Sequence, residues 1–129
     1  MLERTITIRT RKREEITLIT AEVQKVLSAM TDRDGICTII TPHTTCALSV
    51  NENADPDVRS DLTNALRAMI PGVNFRHGEG NSDAHLLSTL IGVSLSWPYR
   101  NGELVLGTWQ GIYFVELDGP RERQVTVYV

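Results

Sequence analysis

In the first half of the chain, apolar residues recur at every second position in some segments and with the spacing of a helix in another. Alternating apolar and polar positions predict a strand over 2–10. An apolar repeat at i, i+3, i+4 and i+7 predicts a helix over 20–30, with Thr20 as its N-terminal cap. Two more strands are predicted over 36–41 and 45–51.

The second half begins with two more predicted helices. Asp55 is the expected cap of the first, Pro56 occupies its first turn, and its apolar stripe runs on to Met69. The second is shorter and is predicted over 83–91, with Gly92 as its stop and its leucines facing inward. Polar, glycine-bearing residues between the two helices predict a loop.

Three strands are predicted at the C-terminal end, over 93–99, 103–117 and 124–129. The Asn-Gly pair at 101–102 predicts a tight hairpin turn, and Asp-Gly-Pro at 118–120 predicts a second turn. The strand over 103–117 is apolar on both faces. That pattern is typical of a central strand covered on both sides, or of a strand in a subunit interface.

The order of these elements predicts one α+β domain over 1–129. Helices stand among hairpins without strict alternation, so we expect a large mixed or mainly antiparallel sheet with two main helices and one short helix. A chain of 129 residues can bury a core without disulfides. If the strands around residue 43 form a hairpin, Cys37 pairs near Val50 and not Cys46, so two buried, reduced thiols are expected.

Charge and hydropathy argue against two classes of partner. The formal net charge is −3, whereas nucleic-acid binding needs a basic surface. The basic cluster at 9–13 is followed by Glu14 and Glu15 and is interpreted as a solvated loop. The chain contains no apolar run of the roughly 20 residues that span a bilayer, and no signal peptide is visible. We therefore expect a cytoplasmic protein.

The polar face of the strand over 45–51 is the first candidate pocket wall. Thr45, Ser49 and Asn51 share one parity, and His43 precedes them in the same parity. The other parity is apolar and can enter the core. The alternative interpretation is a solvated strand face that leads into a helix cap.

The segment 77–85 is the second candidate, because it contains two histidines, two acids and two glycines. Imidazole is a common metal ligand, and a carboxylate can orient it. The spacing of His77 and His85 matches no established metal motif. The start of the short helix, at Asn81, could instead bind a phosphate. The alternative is an exposed loop histidine and a hydrogen-bonded helix start.

Two further segments are open to two interpretations each. Glycines and a Trp over 107–111 indicate either close approach of a ligand or another chain, or a β-bulge with a core Trp. Arg121 could bind a phosphate or carboxylate group of a substrate, because its guanidinium matches both. It could equally belong to a charged loop.

Five blocks of the chain, in the same order, resemble the YjbQ-like family, a small bacterial and archaeal family of uncharacterised proteins. The blocks are 41–46 (TPHTTC), 51–57 (NENADPD), 80–85 (GNSDAH), 107–111 (GTWQG) and 117–121 (LDGPR). Ser82 stands where relatives often carry alanine. The resemblance covers nearly the whole chain.

The resemblance implies an α+β fold, a homotrimer and a pocket at the family's histidines that holds a divalent metal ion, zinc being the usual suggestion. On this chain those metal ligands are His43, His77 and His85. The expected substrate-binding residues are Thr45, Asn51, Asn81 and Arg121. The expected catalytic residues are Glu52 and Asp83.

Three functions follow from these residues. The resemblance implies a thiamine-phosphate synthase activity, which joins a pyrimidine pyrophosphate to a thiazole phosphate; however, the site blocks contain few basic residues and no aspartate-rich magnesium motif. The second is a metal-dependent hydrolase with three histidine ligands and Glu52 or Asp83 as general base. The third is a non-catalytic trimeric module that binds a metal ion or a small molecule.

Overall fold

The structure is a computed structural model that describes residues 1–70, 72, 74–78 and 80–129. Three residues lie outside the described part of the chain: Pro71, which with Gly72 is predicted to end the helix that starts at Pro56, the loop residue Val73 and the loop acid Glu79. Within the described part, none of the helices has the length and apolar character needed to cross a membrane.

The described residues form strands and helices interleaved along the chain. The strands are β1 (Glu3–Arg9), β2 (Glu15–Leu18), β3 (Gly35–Ile40), β4 (Cys46–Glu52), β5 (Ser94–Arg100), β6 (Glu103–Leu104), β7 (Gln110–Glu116) and β8 (Glu122–Tyr128). The helices are α1 (Thr20–Met30), α2 (Pro56–Ala68) and α3 (Ser82–Ile91).

The strands form two antiparallel sheets. The larger has the order β1-β8-β3-β5-β6, and the smaller has the order β2-β7-β4. Helices together with antiparallel sheets confirm the predicted α+β class. Consecutive strands such as β7 and β8 belong to different sheets, so the segments between them cross from one sheet to the other.

β7 is the middle strand of the smaller sheet and is buried on both faces. Ile112 and Phe114 pack into the main core, which includes residues of α1 and of the larger sheet. Val115 and Leu117 pack on the other side, against Ala84 of α3. Each large apolar side chain buried in this way contributes roughly 1.5–3 kcal/mol. Of the two interpretations of this apolar strand, β7 fits the first, a central strand covered on both faces.

The hairpin considered for the second and third predicted strands does not form. β3 pairs with β5 and β8 in the larger sheet, whereas β4 pairs with β7 in the smaller sheet. The chain leaves the larger sheet at Thr41, whose hydroxyl donates to the carbonyl of Gln124 at 2.8 Å. Cys37 and Cys46 are nevertheless buried and free, as predicted.

Two predicted boundaries are wrong for local reasons. Thr20 is the first residue of α1 and not its cap, because its Oγ1 accepts a hydrogen bond from the backbone N–H of Ile112 at 2.9 Å. The strand predicted over 103–117 is divided into β6 and β7. A turn separates them, closed by a hydrogen bond from the Gln110 N–H to the Gly107 carbonyl at 3.1 Å.

α2 and α3 bury less apolar surface than their sequence patterns predict. The expected cap of α2 is confirmed, since the Asp55 carboxylate accepts the N–H of Asp57 at 2.9 Å. However, α2 has no fully buried residue, and Met69 just beyond it is 59% exposed. On α3, Leu87 is buried but Leu90 is 62% exposed, so the expectation that its leucines all face inward is wrong.

A buried ion pair joins the end of β7 to the start of β8. The guanidinium of Arg123 donates to both carboxylate oxygens of Glu116, at 2.9 and 2.5 Å. The same carboxylate accepts the Thr10 hydroxyl at 2.7 Å and the backbone N–H groups of Leu117 and Asp118. Both side chains of the pair are almost fully buried. The pair therefore fixes three segments of the chain at one point.

The hydrogen bonds decide the charge state of Glu116. Burial alone would raise the pKa of this carboxyl, but donation from Arg123, Thr10 and the Asp118 N–H outweighs it, so the pKa is lowered. The Arg123 pKa is raised: burial opposes this, but the carboxylate of Glu116 outweighs it. Both groups are charged at neutral pH, and each compensates the other's desolvation.

Arg123→Met is expected to lower the free energy of unfolding by about 3–5 kcal/mol at pH 7, because it leaves a buried carboxylate without its cation. In the wild type, the lowered pKa of Glu116 stabilises the fold above the ordinary glutamate pKa of 4.5, and that contribution is lost as the pH falls through the lowered value. The difference between variant and wild type should therefore shrink in acid. Urea unfolding across pH measures it.

Arg9→Met is the matched control for this prediction. Arg9 also pairs with a glutamate, Glu122, but the two side chains are 80% and 61% exposed. Losing such a surface pair is expected to leave stability almost unchanged. Equal losses of stability in the two variants at pH 7 would contradict the role assigned to the buried pair.

Candidate functional site

Residues 41–45 connect β3 to β4 and are bound to the start of β8. The backbone N–H of Gln124 donates to Nε2 of His43 at 3.0 Å, and its carbonyl accepts the Thr41 hydroxyl at 2.8 Å. The guanidinium of Arg123 donates to the carbonyl and the hydroxyl of Thr45, at 3.2 and 2.9 Å. The connection is therefore fixed at both of its ends and at its histidine.

The side chains of Thr41 and His43 take over where the backbone ladder stops. β3 and β8 pair from Thr38 to Ile40, and beyond that point the chain turns away towards the smaller sheet. Gln124 would then have no backbone partner on the β3 side. The Thr41 hydroxyl supplies the missing donor and the His43 imidazole the missing acceptor, so the backbone carbonyl and N–H of Gln124 are both hydrogen-bonded.

The environment of His43 disfavours its charged form. Burial lowers the pKa of the imidazole, and the nearby guanidinium groups of Arg123 and Arg121 lower it further. Glu116 acts in the opposite direction but is outweighed. His43 is therefore neutral at physiological pH.

The first turn of α3 carries the second part of the site. The Asn81 side chain donates from Nδ2 to the Asp118 carboxylate at 2.9 Å, but its buried Oδ1 has no hydrogen-bond donor among the described residues. The Asn81 side chain also makes no cap to the helix. His85 lies one turn further on, and its ring stands edge-on to that of His77, with the ring centroids 5.6 Å apart.

Arg121 completes the site from the segment between β7 and β8. It donates from Nε to the carbonyl of Asp118 and from Nη2 to the Asp118 carboxylate, both at 2.8 Å. Burial would raise the pKa of Asp118, but the hydrogen bond from Asn81 and the charge of Arg121 outweigh it and lower that pKa. Asp118 therefore orients both Arg121 and Asn81 as a carboxylate.

These groups surround an open cavity of ≈ 350 Å³. Its lining residues are Pro42, His43, Thr44, Thr45, Asn81, His85, Arg121 and Arg123. A second cavity, of ≈ 540 Å³, shares His43 and His85 with it. Within the described part of the chain, the lining of the first cavity contains two guanidinium groups and no carboxylate; each guanidinium is paired with a carboxylate behind the lining, Arg123 with Glu116 and Arg121 with Asp118. We call it the histidine–arginine pocket.

The structure brings five of the nine predicted site residues into this pocket. They are His43, Thr45, Asn81, His85 and Arg121. His77 lies against His85. Asp83 does not line the pocket: it accepts two hydrogen bonds from Arg13, at 3.1 and 3.3 Å, and faces a different cavity.

Asn51 and Glu52 lie at the far end of β4. Glu52 is six residue steps beyond Cys46 along this extended strand, which places the two about 20 Å apart. Asn51 and Ser49 do line a cavity, of ≈ 200 Å³, but its other walls are mainly apolar side chains from beneath α2. The polar face of β4 therefore does line a cavity, but this cavity is not the histidine–arginine pocket.

The glycine and Trp block lies at that same far end. The backbone N–H of Asn53 donates to the carbonyl of Trp109 at 2.8 Å, and a Cβ on Gly111 would come within 3 Å of Asn53 and Leu18. The close approach at Gly111 is thus made by this chain itself. Trp109 is 62% exposed and is not a core residue.

The three predicted metal ligands do not form one set. Among the described residues, no group of three or more His, Cys, Asp or Glu side chains is arranged to hold a metal ion. Nε2 of His43 is occupied by the Gln124 N–H, so that ring does not fit as a ligand. His77 and His85 are near enough to each other for two ligands of one ion, since their ring centroids are 5.6 Å apart. The buried Oδ1 of Asn81, which has no hydrogen-bond donor among the described residues, is the one oxygen donor beside them.

Sequence reasoning missed the groups that hold the pocket in place. Glu116 lies within an apolar strand pattern, and Arg123 lies within a charged loop pattern. A glutamate inside a run that reads as buried on both faces is a signal for a compensated charge. Its partner could not be read from the sequence, because the pairing depends on how the two sheets meet.

Comparison with known proteins gives the same family as these motifs. A family model described as UPF0047 protein YjbQ-like matches residues 4–129. A UPF0047 protein of Methanocaldococcus jannaschii is 48% identical over 95% of this chain and 89% of its own length. YugU of Bacillus subtilis, also a UPF0047 protein, is 44% identical over 98% and 96%.

Two solved structures of similar proteins share the fold. An uncharacterised conserved protein of the yjbq/upf0047 family from Clostridium acetobutylicum matches with a TM-score of 0.92 and 42% identity, over 97% of this chain and 98% of its own. A protein of unknown function from Sulfolobus solfataricus matches with a TM-score of 0.91 and 35% identity, over 98% and 94%. This chain therefore belongs to the UPF0047 YjbQ-like family.

Proposed function

We propose that this chain is an enzyme for a small phosphorylated substrate, which it binds in the histidine–arginine pocket. The observation that carries the proposal is the lining of that pocket, in which guanidinium and imidazole groups meet without a carboxylate among the described residues. Guanidinium and imidazole groups that face one concave site, with the paired carboxylates behind them, offer hydrogen-bond donors suited to an anionic ligand.

The anion would be held by groups with donors to spare. Arg121 uses one N–H of Nε and one of Nη2 on Asp118, which leaves the rest of its fork for phosphate oxygens. The N-terminus of α3 contributes the partial positive charge of the helix dipole, and the Asn81 side chain does not cap it. In a thiamine-phosphate synthase-like transfer, these groups would stabilise the leaving pyrophosphate.

His85 is the candidate acid–base group in that reaction. It lines both histidine-containing cavities and lies one helical turn after Asn81, so it would lie beside a bound phosphate. Histidine is the side chain most often used as a general acid or base, so His85 would protonate a leaving oxygen or accept a proton from a nucleophile.

A metal-dependent hydrolase is the second candidate, and one observation favours it. The edge-on imidazoles of His77 and His85, with the unsatisfied Oδ1 of Asn81 one turn before His85, are the groups that would hold the ion. When bound there, a zinc ion would supply positive charge for phosphate oxygens. The ion would then be the partner of the buried Asn81 oxygen, while Asp118 accepts a hydrogen bond from the Asn81 side-chain nitrogen and so orients the amide.

We further propose that the predicted homotrimer completes the site. The family blocks gather at two ends of β4 that lie about 20 Å apart, with Glu52 at one end and the histidine–arginine pocket at the other. One chain alone does not bring them together. Trp109, which is 62% exposed beside the Glu52 end, is suited to a contact with another copy.

Arg121→Gln is expected to weaken pyrophosphate binding at least about tenfold, because a bidentate hydrogen bond to a charged group is lost. Titration calorimetry on the purified protein measures it. Arg33→Gln is the control, since Arg33 is exposed in the segment between α1 and β3 and does not line the pocket. Equal affinities of Arg121→Gln and wild type would contradict the proposed anion site.

Zinc content is expected to be about one ion per chain in the wild type and to be lost in His85→Ala. Asp83→Asn should keep the metal, because that carboxylate is bound by Arg13 and does not line the pocket. Mass spectrometry of the metal in untagged protein decides between the outcomes. A wild type free of metal after growth and dialysis in zinc would remove the hydrolase from consideration and leave the metal-free reaction.

Mixing two inactive variants tests the shared site. His85→Ala and Glu52→Ala are each expected to abolish pyrophosphate release, since each removes one half of every site. Mixed trimers, formed by refolding the two variants together, should recover part of the activity, because some of their sites contain neither change. If the mixture is as inactive as its parts while light scattering shows mixed trimers, Glu52 does not serve the pocket of another chain.

A further inference from the structure

The imidazole of His43 is held in one defined protonation state by the main chain. A backbone N–H is only a donor, so Nε2 of His43, 3.0 Å from the Gln124 nitrogen, must be the acceptor and cannot carry a hydrogen. A neutral ring carries one proton. That proton is therefore on Nδ1, which forms no hydrogen bond to any other described residue.

The donor that imposes this state is itself fixed. Gln124 is part of β8, which pairs with β1 at this position, and its carbonyl is held by the hydroxyl of Thr41. Its N–H cannot turn away without breaking the strand. The imidazole of His43 is the only acceptor that the described residues offer to this N–H, so the histidine and the strand stabilise each other.

The charges that face His43 support the same state. Arg123 and Arg121 lie on the side of β8 and the preceding loop, and the charge of Glu116 is compensated by Arg123. His85 faces it across the cavity. A second proton on His43 would set two N–H groups against each other and add a cation beside two guanidinium groups.

We propose that His43 is a neutral hydrogen-bond donor, through Nδ1–H, to an oxyanion in the histidine–arginine pocket, and that it is not a metal ligand. The donor role rests on the proposed function, whereas the tautomer does not. Neutral imidazoles are known to polarise oxygen atoms in this way when a main-chain N–H holds the other ring nitrogen. The proton stays on Nδ1 throughout, so no bond to hydrogen is broken at His43.

This assignment separates the three histidines by chemistry. His77 and His85 lie against each other, whereas the one lone pair on the nitrogens of the neutral His43 ring accepts the Gln124 N–H. Metal binding by His43 through Nδ1 would require that nitrogen to lose its proton, which leaves an imidazolate beside a donating amide. The neutral donor state avoids that cost.

The first test is the tautomer of His43 by long-range ¹H–¹⁵N correlation NMR on ¹⁵N-labelled protein at neutral pH, with and without zinc. We expect a protonated-type Nδ1 signal and an unprotonated-type Nε2 signal, both unchanged when zinc is added. A protonated Nε2, or a His43 nitrogen that shifts to the metal-bound range, overturns the proposal whatever the substrate is.

Two substitutions at Gln124 sharpen this test. Gln124→Ala keeps the backbone N–H and should keep the tautomer, whereas Gln124→Pro removes the N–H alone and should release Nε2 to carry a proton. Should the proline variant not fold, the wild-type spectrum still decides the tautomer. An unchanged His43 spectrum in a folded Gln124→Pro protein would show that the main chain does not impose the state.

The donor role is tested with inorganic phosphate as the probe. His43→Ala should weaken phosphate binding about tenfold, the effect of losing one hydrogen bond to a charged group. His43→Asn should restore most of it, because the Asn amide places an N–H near the Nδ1 position. If Arg121→Gln weakens binding but His43→Ala does not, the donor role is overturned while the pocket stands; if neither does, the proposed anion site itself is wrong.

Discussion

Glu116 and Arg123 form a buried ion pair where the chain passes from the smaller sheet to the larger one. The carboxylate also accepts the Thr10 hydroxyl, and the guanidinium also donates to Thr45. The pair thus bonds the ends of β1, β4, β7 and β8 to one another. The two sheets share no strand pairing where the chain crosses between them. The ion pair and its hydrogen bonds fix their separation there, because these contacts are directional and apolar contacts are not.

The histidine–arginine pocket follows from that corner. Because Arg123 fixes Thr45 and β8 fixes Thr41 and His43, residues 41–45 cannot move independently of the sheets. The segment after Glu116 then directs Asp118 towards Asn81. Each group that faces the cavity is therefore held by a second group behind it, which is the preorganisation that binding of a charged substrate requires.

Local signals in the sequence predicted local structure well. Asp55 and Pro56 specify the start of α2 by themselves, and the Asn101-Gly102 turn has the positive φ angles of 52° and 74° that this dipeptide favours. Strand partners were not predictable in this way, because alternation marks which side of a strand is buried and not which strand lies beside it. The assumed hairpin of β3 and β4 failed for that reason.

The same limit applies to the site. The sequence identified the histidines and Arg121, but it could not show that an N–H of β8 occupies one ring nitrogen of His43. Nor could it show that His43 and Glu52 lie at opposite ends of β4. The two are nine positions apart in the sequence, and a segment of that length can be either compact or extended. The roles of individual residues depend on such distances and could not be predicted from the sequence, whereas the fold class does not depend on them and could be.

The most direct measurement of the central claim, that the histidine–arginine pocket binds an oxyanion, is the position of tungstate in crystals of the wild-type protein, located by its anomalous scattering. The account predicts a tungstate ion within hydrogen-bond distance of both Arg121 and the His43 ring. Tungstate bound only at exposed arginines elsewhere, with none in the pocket, would contradict it.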